Sequence, residues 1–383
     1  MITELRLENW KSFGEATLYI DPLSILIGTN ASGKSNVLDA LIFLQRIASG
    51  SSVHEILNSL RGGIEWASKK PGEKFTLSLS IQDRDDIIYK YQIQCGLLNE
   101  EYCIEFEKLS LFSNHIEVDF QSSVDIRDVS FFYVILAFAG LDDEKSEWEK
   151  IVEKVFDCFC NIFVLSPKLH SMVNYSSLAS YLKVDASNIA GVLAALSPEW
   201  QKEIEDTLTQ YVSRLPERDI HRVYAEKVGK LGKDAMLYCD EKWGESGEVF
   251  TVDARAMSDG TLRFLAILTA LLTLPEGSLL AIDEVDNGFH PSRAHLLLEA
   301  LQTIGKQRNI DVLVTTHNPA LLDALGTEFV PFVTVAHRDS ITGESKLTLL
   351  EDIEQLPKLL AQGTVGKLST QGLIEKSLES VHG

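Results

Sequence analysis

The run Gly28-Thr29-Asn30-Ala31-Ser32-Gly33-Lys34-Ser35 follows the apolar stretch Ser24-Ile25-Leu26-Ile27 and precedes apolar residues at Val37, Leu38, Leu41, Ile42 and Leu44. A buried strand therefore feeds a glycine-rich turn and then a helix over Ser35 to Ala48. This is the layout of a phosphate-binding P-loop. Glycines let backbone N–H groups turn inward around phosphate oxygens, and the helix N-terminus adds positive potential. The expected nucleotide contacts are Gly28, Asn30, Ser32, Gly33, Lys34, Ser35 and Asn36. Lys34 is placed to reach the outer phosphates and Ser35 to ligate a divalent metal.

Farther along, Gly277 to Glu284 reads GSLLAIDE, an apolar strand ending in two carboxylates. In a P-loop protein, Asp283 is expected to hold Mg²⁺ and Glu284 to orient and deprotonate a water attacking the γ-phosphate. A further apolar run, Ile310 to Thr316, ends on His317. A histidine at a strand end is usually structural, but the order of P-loop, acidic strand and histidine points to a role beside the phosphate. Lys34, Glu284 and His317 are the catalytic candidates, with Ser35 and Asp283 the metal ligands.

Met257-Ser258-Asp259-Gly260-Thr261 precedes a helical pattern from Leu262 to Leu274. By itself Ser-Asp-Gly is an ordinary N-cap and turn. Placed shortly before the acidic strand, it resembles the signature motif of ABC-type ATPases. That resemblance implies that Ser258 and Gly260 contact the γ-phosphate held by a second subunit, so that two ATPs are sandwiched in a head-to-tail homodimer or higher homo-oligomer. Further residues narrow the resemblance to the RecF-like and SMC-like branch, over most of the chain. The opening Leu5-Arg6-Leu7-Glu8-Asn9-Trp10-Lys11-Ser12-Phe13 resembles the branch's first strand and turn, which implies that Lys11 lies near the adenosine side of the nucleotide. Ser258-Asp259-Gly260-Thr261-Leu262-Arg263, then Asp286-Asn287-Gly288-Phe289-His290-Pro291, then His317-Asn318-Pro319, resemble the signature, D-loop and H-loop of the subgroup containing the ATPase parts of OLD-type nucleases. The implied fold class is α/β: an ABC-type P-loop ATPase head with an antiparallel β-subdomain and an inserted helical lobe, using ATP and Mg²⁺. The glutamine that usually senses Mg²⁺ has no distinguishing context; Gln92, Gln94 and Gln121 are its candidates.

Organisation along the chain fits one such head. Residues 1–165 are expected to form its N-terminal part, with alternating patterns from Lys74 to Asp119 giving a β-meander. Residues 166–250 are read as a helical lobe, and residues 251–383 as the C-terminal part with the signature and the acidic strand. Two strands are expected before the P-loop, while Phe329 to Val335 and Lys346 to Leu350 are expected to complete the sheet. Heptads are absent, so a long coiled-coil arm is not expected, and the residues after His317 are too few for a fused nuclease. From Leu356 onward an amphipathic pattern is expected to pack on its own domain, with partner binding as the alternative.

Charge bounds the partners. With 35 basic against 56 acidic residues the chain carries −21, which repels polyanions on average. DNA binding would need a local basic patch, for which Lys69-Lys70 and Arg214 to Lys233 are the candidates. No apolar run reaches the roughly 18 residues of a membrane span, and the first residues carry no export signal, so a cytoplasmic location is expected. Five cysteines, only two of them closely spaced, are expected to be reduced and buried. The resemblance implies, as output, an ATP-driven switch or scaffold for a separately encoded, nuclease-like effector in bacterial phage defence. A RecF-type DNA-repair clamp, a transporter's nucleotide-binding subunit and a non-motor scaffold are the alternatives.

Overall fold

The computed structural model describes residues 1–83, 86–98, 101–113, 116–122, 128–130, 132–133, 147–216, 219–243, 248–287, 289–324 and 326–379. In chain order its strands are β1 (Ile2–Glu8), β2 (Glu15–Tyr19), β3 (Leu23–Ile27), β4 (Phe75–Gln82), β5 (Ile88–Leu98), β6 (Glu101–Ser113), β7 (Ile116–Ser122), β8 (Ile162–Leu165), β9 (Ser176–Ser177), β10 (Ile220–Val228), β11 (Asp234–Trp243), β12 (Glu248–Asp253), β13 (Leu279–Ile282), β14 (Asp311–Thr316), β15 (Val333–Arg338) and β16 (Ser345–Leu349). The helices that support the site are α1 (Lys34–Ala48), α2 (Val53–Ser59), α3 (Glu147–Cys160), α4 (Ile189–Ala195), α5 (Pro198–Val212), α6 (Asp259–Thr273) and α7 (Ala294–Gln307).

The central sheet runs β16-β15-β3-β14-β13-β8. Its strands are parallel except β16, which returns antiparallel along β15. Side chains alternate across it. Ile25, Ile27, Leu280, Ile282, Val312 and Val314 enter one core, with α4 to α7; Leu26, Leu279, Ala281 and Leu313 enter the other, with α1 and α3. Burial on both faces is why these strands read as continuous apolar runs instead of alternating ones. Parallel strands also place their carboxyl ends along one edge, where ligand sites of such sheets form.

The second core is closed by an antiparallel sheet, β2-β1-β4-β5-β6-β7. Trp10, Phe43 and Phe75 meet there edge to face at centroid distances of 5.0 to 5.7 Å. The expected meander is thus β4 to β7, but it is extended by β1 and β2. Those two pair as a hairpin, Glu4 opposite Tyr19, so three strands and not two precede the P-loop. A third sheet, β10-β11-β12 with β9 on β11, closes the end of the region read as a helical lobe, where Ala225 to Val252 has a β-like pattern.

One other difference has a simple cause. Residues Thr327–Phe332 form 3-10 turns, and β15 begins only at Val333; Pro331 has no N–H for a sheet ladder. The C-terminal pattern folds into short helices whose Leu356, Leu359, Val365, Leu368 and Ile374 join the first core. The tail therefore packs on its own domain. All five cysteines are free, and Cys95, Cys103 and Cys239 are buried, but Cys160 is exposed at the end of α3. Among the described residues no helix is long and apolar enough to cross a membrane.

Candidate functional site

The loop after β3 is shaped by what a side chain would strike. A Cβ on Gly28 would lie 2.2 Å from the Ala336 carbonyl oxygen, and one on Gly33 would lie 2.7 Å from Ser345 Oγ and 2.8 Å from the Phe13 ring. Gly33 also has φ of 116°, outside the range of ordinary L-residues. Behind the loop, Trp10 Nε1 donates to the Asn36 carbonyl oxygen (2.7 Å), Asn36 Nδ2 donates to Ser12 Oγ (2.7 Å), and Ser12 Oγ meets Ser345 Oγ (2.7 Å). The turn around Lys11 thus clamps the first turn of α1.

Lys34 is the first residue of α1, is 8 % exposed, and donates through Nζ to the carbonyl oxygens of Gly28 (2.7 Å) and Thr29 (3.0 Å). Burial lowers its pKa, while Glu284 and Asp283 act in the opposite sense. This pull across the site follows from the sheet order: β14 alone separates the P-loop strand from the acidic strand. A cavity of about 300 Å³ is lined by Asn30, Gly33, Lys34, Ser35, Asn36, Asp283, Glu284 and Arg338. Gly28 and Ser32 frame the loop from behind, and Ser32 Oγ is buried without a hydrogen-bond partner.

Thr315 on β14 fixes the acidic pair. Its Oγ1 donates to Asp283 Oδ1 (2.9 Å) and accepts from the Glu284 backbone N–H (2.8 Å). Glu284 itself has φ of 47°, an uncommon conformation that turns the chain sharply at the strand end. Asn287 Nδ2 donates to Glu284 Oε2 (3.3 Å), and His317 Nδ1 lies 4.0 Å from Glu284 Oε1. Arg61 approaches Asp283 Oδ2 at 3.4 Å, and Arg338 Nε donates to the Ala31 carbonyl oxygen at 3.0 Å.

Ser258 is the N-cap of α6: its Oγ accepts from the Thr261 N–H at 3.2 Å. Neither Ser258 nor Gly260 lines the phosphate cavity. From the same helix, Arg263 Nη1 donates to the Glu284 carbonyl oxygen (3.3 Å), and burial lowers the Arg263 pKa against the pull of Glu284, Asp286, Asp283 and Asp259. Lys11 does not line the phosphate cavity either. Its Nζ is buried on Asp39 (2.5 Å) and the Arg61 carbonyl oxygen (2.7 Å), at the edge of an adjoining cavity of about 430 Å³ shared with Ser12, Asn36, Trp66, Lys69 and Arg338. Gln92 and Gln94 lie on β5 and Gln121 on β7, in the antiparallel sheet, so none of them ends a strand of the central sheet.

Sequence reasoning missed Thr315, Arg61, Arg263 and Arg338 as site residues. Thr315 lies inside an apolar run and Arg61 far from any motif, so only chain folding brings them to the acidic pair. Arg263 was visible as the end of Ser258-Asp259-Gly260-Thr261-Leu262-Arg263, but its direction along α6 was not.

Mg²⁺ suits this donor set: Ser35 Oγ and the Asp283 carboxylate border one cavity beside Lys34, and hard oxygen donors with remaining space for water and phosphate are what that ion takes. A glycine-shaped loop on the carboxyl end of a parallel sheet, facing an acidic strand end, is the site of a P-loop ATPase domain. A family model described as "AAA domain, putative AbiEii toxin, Type IV TA system" matches residues 23–323, and the chain belongs to that family. Among solved structures it is similar to an SMC head bound to the C-terminal winged-helix domain of ScpA, at 13 % identity and TM-score 0.52, covering 91 % of this chain and 96 % of that one. It is also similar to an SMC head with an extended coiled coil, bound to the C-terminal domain of ScpA, from Pyrococcus furiosus. That match has 13 % identity and TM-score 0.54, over 94 % and 98 % of the two chains. These likenesses establish an SMC-head-like fold. No curated protein matches the sequence.

Proposed function

We propose that the chain is a Mg-ATP-dependent ATPase that closes head to tail around ATP and acts as a switch or scaffold for a separately encoded effector, with bacterial phage defence as its setting. The observation that carries this reading is the single cavity uniting Lys34 and Ser35 with Asp283 and Glu284, while Ser258 and Gly260 stand outside it. A signature motif that does not reach its own phosphate cavity is suited to serve the cavity of a second copy.

In this mechanism the loop N–H groups and Lys34 bind the triphosphate, and Lys34 is held in place by burial beside two carboxylates. Ser35 and Asp283 would hold Mg²⁺, which would supply charge neutralisation at the phosphates. Glu284 orients and deprotonates the attacking water, and Asn287 and His317 flank its carboxylate. Ser258 and Gly260 of the second copy present a helix N-terminus to the γ-phosphate, so release of inorganic phosphate after hydrolysis removes the charge that holds the two copies together. The solved SMC heads are bound to ScpA; an effector protein docking on this head would be the corresponding arrangement here.

A DNA clamp finds less support. Lys69 pairs with Glu344 and Lys70 with Glu73, so the first candidate basic patch is neutralised within the chain, and Arg214 at the start of the second pairs with Glu299. The deciding experiment is the solution mass of Glu284→Gln with and without Mg-ATP, beside Lys34→Ala. A doubling that requires ATP and vanishes in Lys34→Ala is expected. A mass indifferent to ATP would overturn the composite site.

A further inference from the structure

At the opposite, amino-terminal ends of the parallel strands lies a second cavity of about 570 Å³, bordered by the residues leading into β3, β8, β13 and β14. That volume is within the usual range of small-molecule sites. Five carboxylates border it: Asp21, Asp83, Asp157, Glu276 and Asp311. Two cationic groups share the space, and both have partners. Lys154 Nζ pairs with Asp83, and the Met1 amine donates to the Gln82 carbonyl oxygen at 2.6 Å.

Asp311 is the unusual member. It is 4 % exposed, and its Oδ1 has no hydrogen-bond partner. A buried carboxyl oxygen without a partner costs free energy that a donated hydrogen bond would recover. Burial pushes Asp311 up to about 7, with Asp21 adding to the shift and the Met1 amine opposing it. Asp21 is raised by burial as well.

We propose that this cavity binds an aliphatic polyamine, with one ammonium group on Asp311 and Asp21 and another toward Glu276. Two observations select this ligand class over a metal ion. Among the described residues no three carboxylate, histidine or cysteine side chains converge closely enough to hold a metal, so the negative charge is spread along the cavity. The walls between the carboxylates are aliphatic, from Ile2, Ile20, Pro22 and Ile81. A chain of methylenes punctuated by ammonium groups matches both features, whereas a compact hydrated ion matches neither. The site does not depend on the ATPase reading.

The test is calorimetric titration of the full nucleotide-free chain with spermidine at physiological ionic strength. Saturable one-to-one binding is expected, about tenfold weaker in Asp311→Asn, where a charge-assisted contact is lost, weaker in Glu276→Gln, and unchanged in Lys34→Ala. Should Asp311→Asn not fold, Asp21→Asn is held to the same criterion. The proposal is overturned by the absence of saturable heat, by carboxamide variants that bind like the parent, or by MgCl₂ of matched ionic strength producing the same titration, which would mean attraction to an acidic surface only.

Discussion

Thr315 shows how much one buried hydroxyl sets. It is fully buried, and through a donated and an accepted hydrogen bond it fixes both carboxylate residues of the acidic strand end. Thr315→Val keeps the volume and removes both bonds. Leaving two buried polar groups unsatisfied is expected to cost about 2–4 kcal/mol, by urea unfolding. ATP turnover should fall at least about tenfold while nucleotide affinity stays near that of the parent, because Lys34 and the loop are untouched; Thr315→Ser should restore turnover. Loss of affinity and turnover together would mean that Thr315 merely supports the sheet. Asp311 makes a second prediction at this scale. Its carboxyl is raised by burial to about 7 in the folded chain, so the folded state holds a proton that the unfolded state releases near pH 4. Its contribution to stability is complete below that value and lost as pH rises through about 7. Asp311→Asn should flatten this decline, leaving the variant on the order of 4 kcal/mol more stable than the parent at pH 8 relative to their difference at pH 4. Parallel melting profiles across that range would contradict it.

Among the elements, α6 carries two roles on one residue. Ser258 caps the helix, and Phe264, Leu265, Ile267, Leu268 and Leu271 bury it in the first core. Ser258→Ala is expected to cost about 1 kcal/mol through the lost cap. Ser258→Asp separates cap from phosphate contact: aspartate caps as well as serine, so stability is kept, but its charge would face the γ-phosphate of a second copy. ATP-dependent assembly should then be lost from a fully stable protein, as read by solution mass. A Ser258→Asp chain that still assembles with ATP would remove the signature from the interface. The same logic explains why α1 was legible and the opening turn was not. The helix follows from its apolar spacing and the glycine at its N-cap, whereas Lys11 in a turn gives no sign that its partner is Asp39, inside α1. The resemblance places Lys11 near the adenosine side of the nucleotide; in the fold its ammonium pairs with Asp39 at the edge of a cavity adjoining the phosphate cavity.

For the whole molecule, the decisive property is that two distant segments share a cavity across β14. If that cavity is completed by a second copy, the ATP-dependent mass of Glu284→Gln is the measurement in which the entire arrangement is read at once. The overall charge of −21 bears on the same test: it would make two copies repel one another, so the proposed closure would depend on bound nucleotide and be tunable by salt. What the sequence determined by itself was the local chemistry. The strand-loop-helix of the P-loop, the acidic end of β13 and the histidine after β14 are each written in a few contiguous residues, because backbone conformation and burial on both faces of a parallel sheet leave a contiguous pattern. Tertiary structure alone decided the strand order that brings Thr315 between the two motifs and the arginines Arg61, Arg263 and Arg338 around them. It likewise decided the folding of the C-terminal helices onto the first core and the gathering of carboxylates at the other end of the sheet. Those contacts join residues tens to hundreds of positions apart, and their energy comes from burial and pairing in a packed interior, which no local pattern records.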